Sequence, residues 1–124
     1  MINIISIFIG GGSGAVIRYL IGLSFLKSFH LSFPFATLFV NLLGGFIIGF
    51  LYVLFIDKIE INTGLKLALT VGFCGGLTTF STFSLEMFEM IGNHQYIHAF
   101  TYAFVSVMLC LIAVAIGAHC AKYI

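Results

Sequence analysis

Between Gly72 and Ser84 the chain reads Gly-Phe-Cys-Gly-Gly-Leu-Thr-Thr-Phe-Ser-Thr-Phe-Ser, in which glycines at 72, 75 and 76 precede a run of hydroxyl side chains interleaved with Phe80 and Phe83. No nucleophile stands beside a base here, so the chemistry on offer is the binding of small ions. Glycines permit backbone turns that leave carbonyls without helical partners, and bare carbonyls ligate a hard cation. Phe80 and Phe83 lie within about 60° of each other on a helix of 100° per residue. A phenyl ring is electropositive at its edge, so two rings held edge-on, with Ser81 and Thr82 nearby, suit a small anion. Thr79, Thr82 and Glu86 share another face.

The elements that must position these groups are membrane spans. The chain has 124 residues, 61% hydrophobic and 7% charged, where soluble domains carry about 25% charged residues. Four apolar segments, about 2–25, 33–56, 63–90 and 96–121, each meet the roughly 20 residues that a span requires. The expectation is an all-α membrane protein, one four-span domain, with the third span broken near 74–79. Lipid tolerates non-helical backbone only where protein covers it or a polar cavity adjoins it, so such a break marks an ion site. The first segment carries no basic flank or small-residue cleavage signal and is expected to stay as a span.

Other polar residues acquire meaning within this frame. Arg18 lies in or near the end of the first span, where it either snorkels to the interface or draws anions into a vestibule. Asn41, deep in the second span, offers two N–H donors and one acceptor, for a neighbouring helix or for an ion. Gly10 and Gly14, like Gly45 and Gly49, have the small-x-x-x-small spacing of close helix packing. His98, Tyr102, Ser106 and Cys110 follow at four-residue intervals in the fourth span, giving either a polar track or an interhelical bonding face. The run Gly10-Gly-Gly-Ser-Gly-Ala15 imitates a dinucleotide turn, but four spans leave no parallel sheet to carry it. Cys74, Cys110 and Cys120 show no ligand or disulfide spacing, the histidines do not converge, and the basic residues form no cluster for nucleic acid.

Charge gives a weak orientation signal. Lys58, Lys66 and Lys122 fall on one side and Lys27 and Arg18 on the other. Lysine and arginine bias sets orientation, so this near balance is compatible with one fixed orientation or with insertion both ways, the latter leading to an antiparallel homodimer.

Three separated motifs, Gly-Ala-Val-Ile-Arg18-Tyr19, Thr37-Leu-Phe-Val-Asn41-Leu-Leu-Gly44 and Gly75-Gly-Leu-Thr-Thr-Phe80-Ser-Thr-Phe83, give the chain a resemblance to the small bacterial fluoride channels of the Fluc/CrcB family along essentially its whole length. The resemblance implies dual-topology subunits in the bacterial plasma membrane, paired as an antiparallel dimer with two fluoride pathways. It also implies a structural sodium ion, not transported, held at the dimer centre by the carbonyls of Gly75 and Thr78 from both copies. Phe80 and Phe83 match the family's fluoride-contacting rings, Asn41 its pore-facing amide and Arg18 its vestibule arginine. Ser81, Thr82, Tyr102 and Ser106 match its polar track, and Glu86 an acidic residue near the pathway. The chain departs from the family pattern at Cys110, where serine is expected, and at Ala36, where glycine is expected.

The function implied is passive export of fluoride, which relieves its toxicity: hydrofluoric acid diffuses in, dissociates, and the trapped anion leaves through the channel. The alternative is a small four-span proton-coupled multidrug exporter, which needs an acid in its first span and aromatic surface for cationic drugs. The first span here has no acid, and the chain has no tryptophan. An accessory subunit would need no broken span, and an enzyme would need a convergent catalytic group.

Overall fold

The computed structural model describes residues 1–28, 33–58 and 60–124. Among them the regular structure is entirely helical: α1 (Ile2–Ser28), α2 (Phe35–Val53), α3 (Thr63–Leu67), α4 (Gly75–Leu77), α5 (Phe80–Gly92) and α6 (Tyr96–Ala121). Wider π-helical turns extend α2 over Leu54–Lys58 and join α3 to α4 over Ala68–Cys74. Four stretches are long and apolar enough to cross a membrane, Ile2–Leu26, Phe35–Ile56, Thr63–Gly92 and Tyr96–Ala121. They fall close to the expected spans. Residues 29–32 and 59, within the expected connections, lie outside the described residues. Large apolar side chains such as Phe8, Phe88, Phe100 and Leu111 face outward, as lipid solvation of a small bundle requires.

The bundle is assembled from two close helix pairs. α1 runs along residues 63–77, and α2 runs along α6. Glycine makes both approaches possible. A Cβ on Gly14 would meet the Phe73 carbonyl and the Leu77 nitrogen, and one on Gly76 would meet the Gly11 carbonyl. In the second pair, a Cβ on Gly49 would meet the Val114 carbonyl, and one on Gly117 the Phe46 carbonyl. These neighbours are backbone atoms that cannot swing aside, so close van der Waals contact between backbones takes the place of the hydrophobic drive that is missing in lipid. The packing reading of the spaced glycines therefore holds.

The third span differs from its expected form. Gly72 lies in the π-helical stretch and Gly75 and Gly76 in α4, all without positive φ, so the glycines themselves are helical. The interruption falls just after them, at Thr78 (φ −80°, ψ 159°) and Thr79 (φ −150°, ψ 119°), both extended. Gly72 and Gly76 serve packing while Gly75 faces open space, and two threonines carry the interruption. Below the interruption, Leu38, Phe83, Met90, Ala99 and Tyr102 form a buried cluster where α2, α5 and α6 meet.

Candidate functional site

Extended residues inside a span must find partners for backbone groups that a helix would satisfy internally. Side chains from two other spans supply them. Asn41 of α2 pairs with Thr79 at two points, accepting from its N–H at 2.7 Å and donating from Nδ2 to its carbonyl at 3.1 Å. The amide thereby acts as a stand-in for a neighbouring peptide group. Arg18 of α1 donates from Nη1 to the Thr78 carbonyl at 3.1 Å. Neither of the two sequence readings of Arg18, snorkelling or bare vestibule charge, includes this bond.

Thr79 also starts the next helix. Its Oγ1 accepts from the Thr82 N–H at 3.1 Å and donates to Thr82 Oγ1 at 3.0 Å, with Ser81 Oγ at 3.2 Å. This is an N-cap, the role for which threonine is suited by its short hydroxyl side chain. The first-turn N–H groups of α5 at Phe80 and Ser81 precede any helical carbonyl, so the positive end of α5 lies at the interruption.

A groove of about 590 Å³ runs past this point, lined by Asn41, Gly75, Thr78, Phe80, Phe83 and Ser106 among others. The two phenyl rings lie with centroids 5.6 Å apart and planes at 40°. Their settings differ: Phe80 is 78% exposed and Phe83 only 9%. Phe83 is held by the ring of Tyr102 at 5.0 Å, itself fully buried and edge-on to Phe33 at 5.2 Å. Ser106, one turn beyond Tyr102 on α6, is 5% exposed, and its hydroxyl has no hydrogen-bond partner among the described residues.

A second cavity, of about 380 Å³, is lined by Arg18, Tyr19, Thr37, Thr79 and Thr82 together with apolar groups. Thr79 borders both spaces. Glu86, one turn further along α5, accepts from Thr37 Oγ1 at 2.6 Å and from the Tyr102 hydroxyl at 2.7 Å, which ties α2, α5 and α6 together. It also lines a separate cavity of about 320 Å³ with Glu89 and Asn93.

The structure thus brings Asn41, Phe80, Phe83, Ser106, Gly75 and Thr78 to one groove and Arg18 and Thr82 to the adjoining cavity. Ser81 meets them only through Thr79, and Tyr102 acts from behind, through Phe83 and Glu86. Cys110 also lines the groove.

Comparison with known proteins converges on this same chain length and pattern. Residues 5–118 match the family described as CrcB-like protein, Camphor Resistance (CrcB). The chain belongs to the CrcB family. A relative from Phocaeicola vulgatus named fluoride-specific ion channel FluC is 43% identical over 117 residues, covering 94% of this chain and 96% of its own. Fluoride-specific ion channel FluC 1 of Staphylococcus aureus is 45% identical over 115 residues, 90% of this chain and 93% of its own. A third relative of the first name, from Hydrogenobaculum sp., is 39% identical over 115 residues, 93% of each chain. These names describe conduction, not catalysis, and lend nothing to the drug-exporter alternative. With four helices long and apolar enough to span, the CrcB chain is a multi-pass membrane protein.

Two residues of this CrcB chain escape a reading of the sequence. Thr37 is assigned no role there, although it lies one helical turn before Asn41 on the same face of α2, the spacing that brings both toward the third span. Thr79 appears only as part of a hydroxyl face. Its position three residues ahead of Thr82, where an apolar helical pattern resumes, is the available signal for an N-cap.

Proposed function

We infer that the protein is a fluoride-selective channel that passively releases fluoride from the cytoplasm, working as an antiparallel pair of identical subunits. The observation that carries this reading is the Ser106 hydroxyl, buried without a partner in a groove lined by Phe80 and Phe83. A buried donor without an acceptor costs about 1–3 kcal/mol, and an anion passing the groove removes that cost. Fluoride is small and strongly hydrated, so its pathway must replace water piecemeal. The Ser106 hydroxyl, phenyl edges, the second Nδ2 hydrogen of Asn41 and the hydroxyls of Ser81 and Thr82 are donors of that graded kind, with Tyr102 setting the Phe83 ring. None is a full positive charge that would hold the ion too tightly to release. Arg18 faces the adjoining cavity and favours anion entry, while Glu86 fixes the helices around the pathway. The exposure of Phe80 supports a second copy lying across the groove, since a ring that grips an ion must itself be covered.

The carbonyls of Gly75 and Thr78 are the assigned ligands of a sodium ion that stays with the pair, and the chain's own chemistry fits it. The Thr79 N–H, which would bond the Gly75 carbonyl in a continuous helix, turns to Asn41 instead. Gly75 is exposed beside open space, so its freed carbonyl is accessible at the groove. The Thr78 carbonyl accepts from Arg18 and keeps a second lone pair. Neutral carbonyls from two copies suit a hard monovalent cation, whose bound charge would join the copies.

A fluoride electrode over proteoliposomes loaded with potassium fluoride tests the reading. Release triggered by valinomycin, absent for chloride, is the expected result. Phe80→Ile and Phe83→Ile should each cut the rate by more than about 100-fold while the purified protein keeps its dimer mass, which at about 1.4 kcal/mol per factor of ten needs only a few kcal/mol of lost ion stabilisation. Full flux in both variants, or equal release of chloride, rules the assignment out.

A further inference from the structure

Arg18 carries a positive charge within a span, where a cation costs about 3 kcal/mol on insertion scales. Its hydrogen bond goes to a neutral oxygen, the Thr78 carbonyl. The cavity it faces is lined, among the described residues, by Tyr19, Thr37, Thr79, Thr82 and apolar groups, without an acid; Glu86 stands behind Thr37, bonded to its hydroxyl. The guanidinium therefore has no counter-charge there. The oxygen it has chosen is also one of the two assigned to the sodium ion, and this inference rests on that assignment. Two cations sharing one carbonyl repel, and a low-dielectric setting screens them poorly.

We propose that Arg18 is the electrostatic link between the vestibule and the cation site: its charge opposes sodium at Thr78 when the cavity is empty, and an anion entering the cavity relieves that opposition. Sodium and anion then bind cooperatively, although Gly75 and Thr78 line one space and Arg18 another. Linkage makes the effect reciprocal, so a bound sodium ion strengthens anion binding in the cavity by the same factor. Arg18 is a positioning residue in this scheme. It orients the Thr78 carbonyl and sets its affinity, without itself ligating the cation.

The sign of the Arg18→Gln effect separates this role from a merely structural one. Glutamine keeps a donor for the Thr78 carbonyl and removes the charge, so sodium should bind more tightly, whereas loss of a structural prop would weaken it. The measurement is the thermal midpoint of the purified full-length protein in detergent as sodium gluconate replaces choline gluconate at constant ionic strength. Arg18→Gln should reach half of its sodium-dependent stabilisation at roughly one-tenth of the wild-type concentration, within the usual range of coupling between sites. Replacing gluconate by fluoride should move the wild-type and Arg18→Lys curves to lower sodium and leave the Arg18→Gln curve in place. A wild-type curve indifferent to fluoride overturns the proposal even if Arg18→Gln cannot be purified, as does an Arg18→Gln curve at or above wild-type sodium. A wild-type midpoint that ignores sodium altogether has a different meaning: it removes the sodium site itself, and the coupling falls with it.

Discussion

Residues 63–77 and 80–92 belong to one membrane span, yet different physics holds each in place. The first part lies against α1 with glycine facing backbone, so that Gly14 and Gly76 touch main-chain atoms of the opposite helix. The second part is tethered by polar side chains, through Thr37 and Tyr102 on Glu86, with Asn41 and Arg18 fixing the two residues that lead into it. Backbone contact is short-ranged and unforgiving of added atoms. Hydrogen bonding is directional and can be exchanged for another partner. An ion site benefits from both kinds: a wall that does not shift, and beside it groups whose bonds can be shared with a passing ion.

Adding atoms to the wall tests the contrast most severely. Gly14→Val places a branched side chain against the Phe73 carbonyl and Leu77 nitrogen, and overpacking of this kind should cost about 3 kcal/mol or more. Thermal unfolding in detergent should show it. Gly14→Ser and Gly14→Ala should be nearly equal, because a hydroxyl has nothing to gain where the obstacle is steric. If serine restores what alanine loses, the two parts of the span are not held differently after all.

On the polar side, size should matter little and bonding capacity much. Asn41→Leu conserves volume but leaves the Thr79 N–H and carbonyl without their partner. Each orphaned group costs about 1–3 kcal/mol, so a loss of at least about 2 kcal/mol is expected, with faster hydrogen exchange at the Thr79 amide. Asn41→Asp keeps the acceptor for that amide and should retain its slow exchange while losing the bond to the carbonyl. A Thr79 amide equally protected in all three proteins would mean that the interruption is held by something other than Asn41.

The two parts were also unequally legible. Spans emerge from apolar runs, and the glycine pairs at 10/14 and 45/49 are separated by four residues within one helix, so periodicity alone brings them to a face. The polar clamp joins Arg18 to Thr78 and Asn41 to Thr79, partners far apart in the chain. Nothing local links them. Glycine-rich composition widened the expected interruption to 74–79, because glycine permits irregular backbone; only Thr78 and Thr79 at its end are extended, while Gly72 and Gly76 were needed for close packing, which helical geometry satisfied. The threonines downstream could leave the helix because side chains from α1 and α2 were waiting for their backbone groups. Asn41 accordingly has a bond in hand before any ion arrives, which its donor inventory alone does not reveal.

The smallest effect concerns the far end of the polar part, where α5 gives way to α6 and glycine is missing from a place that favours it. His94 has φ 59°, and its N–H donates to the Ile91 carbonyl at 3.0 Å while the Gln95 N–H donates to Met90 at 2.8 Å. That bonding is a Schellman ending with His94 as its left-handed residue, a position usually held by glycine. A side chain there costs about 1–2 kcal/mol. His94→Gly relieves that cost but gives up the exposed contact of Nδ1 with the Tyr96 hydroxyl at 3.1 Å and gains flexibility in the unfolded chain. The net should be a stabilisation of about 0.5 kcal/mol, with fluoride release unchanged. A loss of stability instead would show that the His94–Tyr96 contact governs this turn, and that the side-chain bonding characteristic of residues 80–92 extends through the connection into α6.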